Sequence, residues 1–135
     1  MVEFALVLPV LIVLLVGVMD VARAANAYAT LSSAAREGSH YAALHPTAAP
    51  SAITSVVRSR VEPLESASVI VEASYHDGTD FVAWPTSGIP ASSPLASAVP
   101  ARVRVSYPWH AVTSLIGGFF AGASFSASST SDAVR

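Results

Sequence analysis

Sixteen consecutive residues from Phe4 to Met19 carry no charge, are bracketed by Glu3 and Asp20, and are dominated by Leu, Val and Ile. At about 1.5 Å per helical residue the run covers roughly 24 Å, a little under the ~30 Å hydrocarbon core of a bilayer. Beyond it, Val21, Ala24, Tyr28, Leu31, Ala35, Gly38 and Ala42 recur at alternating spacings of three and four, a heptad-like seam lined mostly by small side chains. The two patterns join without interruption, which predicts one helix from near Val2 to Leu44. Such a rod of roughly 60 Å is twice the bilayer core, so its C-terminal half must project beyond a membrane that holds its N-terminal half. The small-residue seam suits close approach by another helix or by the chain's own domain, and both readings stay open. Pro9 cannot donate a bond back to Ala5 and crowds that carbonyl, which predicts a kink or local melting, with Gly17 as a second soft point.

The periodicity changes after Leu44. His45-Pro46-Thr47-Ala48-Ala49-Pro50 ends the rod, because a proline pulls the residue before it out of helical conformation. Ile53, Val56 and Val57 then share one face of an expected helix over Ser51–Val61, with Arg58 and Arg60 near its C-terminus. From Ser66 to Tyr75 apolar Val69, Val71 and Ala73 alternate with other residues, which predicts a strand. His76-Asp77-Gly78-Thr79-Asp80 reads as its turn, leading into a short return strand over Phe81-Val82-Ala83-Trp84. Four prolines between Pro85 and Pro100 predict a long surface loop with no strand in it. Ala101–Tyr107 is the clearest strand, with Val103, Val105 and Tyr107 on one face and Arg102, Arg104 and Ser106 on a solvated one. Ala111–Ala123 is apolar but too short to span, and is expected as a loop or short helix tucked on the sheet; Ser124–Ala133 is the expected last strand. The expected fold class is therefore α+β: a long N-terminal helix packed on a small antiparallel sheet, divided into an N-terminal helix at 1–44 and a small α+β domain at 45–135.

Composition narrows the function. The chain has 135 residues, 53% hydrophobic and only 12% charged, which allows one modest domain plus an anchor. Its net charge of -2 gives no basic footprint for nucleic acid. The absence of cysteine excludes disulfides, thiol catalysis and cysteine-based zinc sites. His40 and His45 match no common zinc spacing, while His76 and His110 stand alone. Asp77 and Asp80 lack the further oxygen ligands of a calcium loop, and Gly122-Ala123-Ser124-Phe125-Ser126 lacks the second glycine of a nucleophile elbow. No nucleophile, base and oxyanion stabiliser are assembled, so the expectation is a non-catalytic protein without cofactor, metal or small-molecule substrate.

A cleaved secretory signal does not fit the flanks of the apolar run, because Met1-Val2-Glu3 has no basic residue and the helical pattern continues through the A-x-A site at Ala22-Arg23-Ala24. The opening Val2-Glu3-Phe4-Ala5-Leu6-Val7-Leu8-Pro9, the following aliphatic run and the close Ala34-Ala35-Arg36-Glu37-Gly38-Ser39-His40-Tyr41-Ala42 instead resemble the TadE-like family, pseudopilins or minor pilins of tight-adherence (Flp-type) pili. Val103-Arg104-Val105-Ser106-Tyr107-Pro108 and the later Leu115-Ile116-Gly117-Gly118 are similar to that family's late strand and loop.

The resemblance implies a pilin-like protein whose helix sits first in the bacterial inner membrane and is later drawn into a filament, with the globular part extracytoplasmic. It implies as partners other pilins or pseudopilins, the pilus assembly platform and membrane lipid. Glu3 matches the family's acidic residue near the N-terminus, which is thought to meet the free amine of a neighbouring subunit. Glu3, Phe4, Pro9, Tyr28, Leu31, Ala35 and Gly38 are the expected assembly residues. The family's precursors carry a basic leader with the acidic residue about fifth after cleavage, whereas here it is third, so a leader for prepilin peptidase is expected upstream of Met1. Arg23 and Arg36 alone would place the C-terminal side in the cytoplasm by the positive-inside rule, and the resemblance places it outside. The competing expectation is a tethered binding module that recognises a partner through the Pro-rich loop and Trp84 or Trp109.

Overall fold

The computed structural model describes residues 2–62, 64–90, 98–110 and 124–134. Helix α1 (Val2–Leu44) is followed by helix α2 (Pro50–Arg60), a single 3-10 turn at Ser66–Ser68, and strands β1 (Ile70–His76), β2 (Phe81–Ala83), β3 (Ala98–Pro108) and β4 (Ser124–Val134). The strands form one antiparallel sheet in the order β2-β1-β3-β4. The architecture is α+β, as the patterning implies.

α1 runs through Pro9 and Gly17 without interruption, so the expected melting at Pro9 does not occur. One lost backbone bond is a small defect in a helix of 43 residues. Pro50 opens α2, where its missing N–H would have had no intrahelical partner anyway. α2 folds back along α1, tied by an exposed Arg60–Glu37 pair at 3.2 Å. The turn between them is closed by His45 and Ala48 backbone bonds and by Ile89 N–H donating to the Pro46 carbonyl at 2.7 Å. Gly88 is required there: its φ is +79°, and a Cβ would fall 2.4 Å from the Thr47 Cα.

Alternation places the core. In β3, Val99, Ala101, Val103 and Val105 are fully buried beneath the helices, while Arg102 and Arg104 lie on the other face. Leu31, Ala34, Ala35 and Ala42 of α1, Ile53, Val57 and Val61 of α2, and Ala127 and Ala133 of β4 complete the same cluster. Gly38 sets the closeness of the packing, since an added Cβ would meet Val57 at 2.5 Å and Val103 at 3.2 Å.

Three expectations need correction. The region Pro85–Pro100 is not loop throughout, because Ala98–Pro100 are the first residues of β3 and pair with β4 from Val134 to Asp132. Pro100 fits the interior of β3 although proline lacks a ladder donor, and Val99 beside it is fully buried, so burial outweighs the breaker signal. The segment from Ser66 begins as a 3-10 turn, and its strand starts at Ile70. Serine at both ends of that turn, with Ser68 Oγ bonded to Glu65, favours the tight local bond over a ladder. The Arg face is not simply solvated either: the Arg102 guanidinium stacks 3.5 Å above the Phe81 ring. The expected element at Ala111–Ala123 lies outside the described residues.

Candidate functional site: the two halves of the N-terminal helix

The residues expected to carry assembly all fall on α1, and the structure sorts them into two environments. Between Phe4 and Val21, thirteen large hydrophobic side chains are exposed, among them Phe4 at 79%. At about 1.5–3 kcal/mol for each such side chain, leaving them in water would cost roughly 20–40 kcal/mol, more than the ~5–15 kcal/mol that holds a whole domain together. This half of the helix is therefore built for lipid or for other apolar helices. It is long and apolar enough to cross a membrane, and almost none of its most apolar stretch is buried inside the molecule, as it would be in the core helix of a soluble fold. Glu3 lies in the first turn of α1, one residue before Phe4, where the helix dipole favours a negative charge. Pro9 is exposed within the same apolar half.

The other half is committed to the chain's own domain. Leu31, Ala35 and Gly38 are buried against the sheet and α2, and Tyr28 is not with them: its side chain is 52% exposed. The buried stripe runs through Asp20, Ala27, Leu31, Ala34, Ala35, Gly38, Ser39, Ala42 and Ala43. A strict heptad anchored on Leu31 to Ala42 drifts by about 20° per heptad from a straight 3.6-residue helix, and so lands on Tyr28 and Val21 instead of Ala27 and Asp20. The partner of this stripe is a sheet, which imposes no supercoil to take up that drift.

Two buried polar residues escape the hydrophobic pattern. Ser39 is fully buried, and its Oγ lies 3.0 Å from Ser129 Oγ, 3.1 Å from Ser131 Oγ and 3.0 Å from the Arg36 carbonyl. Its signal in the sequence was a serine inside an alanine-rich seam together with alternating serines in the last strand. Asp20, which marks the end of the uncharged run, is only 3% exposed and so is not a solvated interface charge. Both indoles are also buried, Trp84 at 6% exposure with its Nε1 donating to the Ala48 carbonyl at 2.9 Å, and Trp109 at 9% against Phe125. Both rings are held mostly within the domain, and Trp84 also lines a cavity beside β1. His76 and Asp77 serve their hairpin turn, where Asp77 Oδ1 accepts from the Asp80 and Thr79 amides and the Thr79 hydroxyl. Among the described residues no group of three or more His, Asp or Glu side chains is gathered in a metal-holding arrangement.

A helix with a bare apolar front half and a domain-locked rear half, headed by an acidic residue, is the arrangement that the sequence resemblance implies. Residues 1–40 match the family model described as TadE-like protein. The likeness lies within the N-terminal helix. The match takes in Glu3, Phe4 and Pro9 in the exposed half and Leu31, Ala35 and Gly38 in the buried half, and it ends one residue after Ser39. No similar protein is found among curated proteins, and none among solved structures. The match covers the N-terminal helix and stops before α2 and the sheet, and that helix is long and apolar enough to anchor the chain in a membrane.

Proposed function

We propose that this chain is a minor pilin or pseudopilin of a Tad/Flp-type pilus or secretion apparatus, a structural and non-catalytic subunit. It is held first in the inner membrane with residues 45–135 on the extracytoplasmic side, and then passes into, or acts beneath, a filament. The observation that carries this reading is the division of α1: its first half exposes thirteen large apolar side chains, while its second half is part of the domain core. A mere anchor needs only the first of these. Here the helix that enters the apolar phase is also the main support of the sheet, so subunits that pack through their front halves hold their domains in fixed positions. Glu3 supplies the register by meeting the amino terminus of a neighbour, since a charge at the end of an apolar helix is costly unless it finds a cation or stays at the interface. Other pilins or pseudopilins and the assembly platform are the partners, and prepilin peptidase acts on any upstream leader.

The test is Glu3→Ala in the native host, read by pilus counts and by membrane fractionation. Piliation should fall to the level of a deletion strain while the variant stays in the membrane fraction. Normal pili from the variant would sink the proposal.

A further inference from the structure

Among the described residues, the edge of the sheet beside β2 is only partly covered. β2 has three residues and pairs with Ser74, Tyr75 and His76, and the last bond across that edge is Trp84 N–H to the Ala73 carbonyl at 3.0 Å. In an antiparallel strand the backbone groups of alternate residues point to opposite neighbours. With Ala73 directed toward β2, Glu72 and Ile70 are directed toward β3, and the N–H and carbonyl of Val71 point outward past the end of β2. Among the described residues none fills that rung, because Pro85–Gly88 forms a turn and Ile89 is drawn off to Pro46.

A cavity of about 510 Å³ lies against this open rung. Its lining comes from both faces of the sheet: Val71, Trp84 and Pro50 on the one hand, and Glu72, Arg102 and Arg104 on the other. A compact ligand would need only one face. A cavity that wraps a strand edge matches an added strand, whose successive side chains go alternately to the two faces. The lining also states the chemistry of each face. Apolar Val71, Pro50 and Trp84 suit β-branched side chains, and two arginines against one glutamate leave the opposite face with a net positive charge.

We propose that the open rung at Val71 is a strand-addition site for an extended peptide segment of another protein, with apolar residues facing Val71 and Trp84 and an intervening carboxylate facing Arg102 and Arg104. The site is independent of Glu3 and of the exposed half of α1, so it stands or falls separately from the pilus reading.

The probe is the capped peptide Thr-Val-Asp-Val-Thr, titrated against the full chain in nanodiscs. Its binding should slow hydrogen exchange at the Val71 amide and change Trp84 fluorescence, and replacing Asp by Asn in the peptide should weaken it several-fold. Val71→Pro removes the outward donor without touching the ladder to β3, a position where an edge strand tolerates proline. It should weaken binding more than tenfold with the near-ultraviolet circular dichroism of the domain retained. Equal affinity in the folded variant, or no binding at millimolar peptide, would overturn the proposal. If Val71→Pro does not fold, the unsubstituted chain decides: an unchanged Val71 exchange rate at saturating peptide overturns the proposal, and a slowed one upholds it. Protection at Val71 that rises with protein concentration in the absence of peptide would assign the edge to a second copy of this chain and also overturn it.

Discussion

At the scale of single residues, the sharpest constraint is the buried hydroxyl of Ser39. It bridges α1 to two alternate serines of β4, whose hydroxyl oxygens lie 3.0 and 3.1 Å from its own. Ser39→Ala leaves Ser129 and Ser131 with a lost partner in a half-buried site, a cost of about 1–2 kcal/mol. Chemical denaturation monitored by Trp84 fluorescence would measure it, and a loss near zero would show that water replaces the hydroxyl. Asp77 behaves differently, because it lies half-exposed in a surface turn and yet its carboxyl is held down to about 2, chiefly by the Asp80 amide, then by the Thr79 amide and hydroxyl. A depressed folded-state value means that the turn is favoured fully above the ordinary carboxylate range near pH 4 and loses that support as pH falls toward 2. The Thr79 and Asp80 amide signals should therefore move together in an NMR titration with a midpoint near the Asp77 value. A midpoint near pH 4 would contradict the bonded turn. Of these two features the Asp-Gly turn was plain in the sequence, because glycine's access to positive φ is local; Gly78 takes φ 110°. The serine bridge was not, because its partners are 90 and 92 residues away.

At the scale of elements, legibility followed the range of the forces. The helix from Val2 to Leu44, the short helix after Pro50, the Asp77-Gly78 hairpin and the last strand were all readable from period and punctuation. What failed was decided by tertiary packing: Ala98–Pro100 joined β3 because Val99 had a core to enter and β4 a matching edge. On α1 the own-domain reading of the seam holds at Leu31, Ala35 and Gly38 and does not extend to Tyr28, which is exposed. Stability should expose the difference. Leu31→Ala removes a fully buried side chain and should cost about 2–5 kcal/mol, whereas Tyr28→Ala on the exposed side should change stability by under about 0.5 kcal/mol. Thermal melts of the two variants in the same detergent would separate them. A Tyr28→Ala variant as unstable as Leu31→Ala would show that the seam lies where the heptad put it. If Tyr28→Ala instead folds normally and impairs piliation, its exposed ring serves contacts between subunits.

At the scale of the molecule, one helix enters the apolar phase and frames the core, so rotation of one end must turn the other. Each residue of an α-helix advances it by about 100°, and an insertion after Gly17 would rotate the front half against the domain. A single alanine there should leave membrane insertion intact and abolish piliation, whereas four alanines return within about 40° of the original face and should restore part of it. Pilus counts on the two strains provide the check, and equal piliation would mean that the azimuth of the domain is irrelevant. The same continuity gives the Ser39 bridge a mechanical meaning. Under the proposed function, a subunit drawn out of the bilayer by its helix would be loaded in shear along α1, and its sheet would travel with it through contacts that include Gly38, Ser39 and the Ser129/Ser131 pair. On that reading the grip of the helix on its sheet rests on the α1 face of the core, with the Gly38 approach and the Ser39 bridge at its centre.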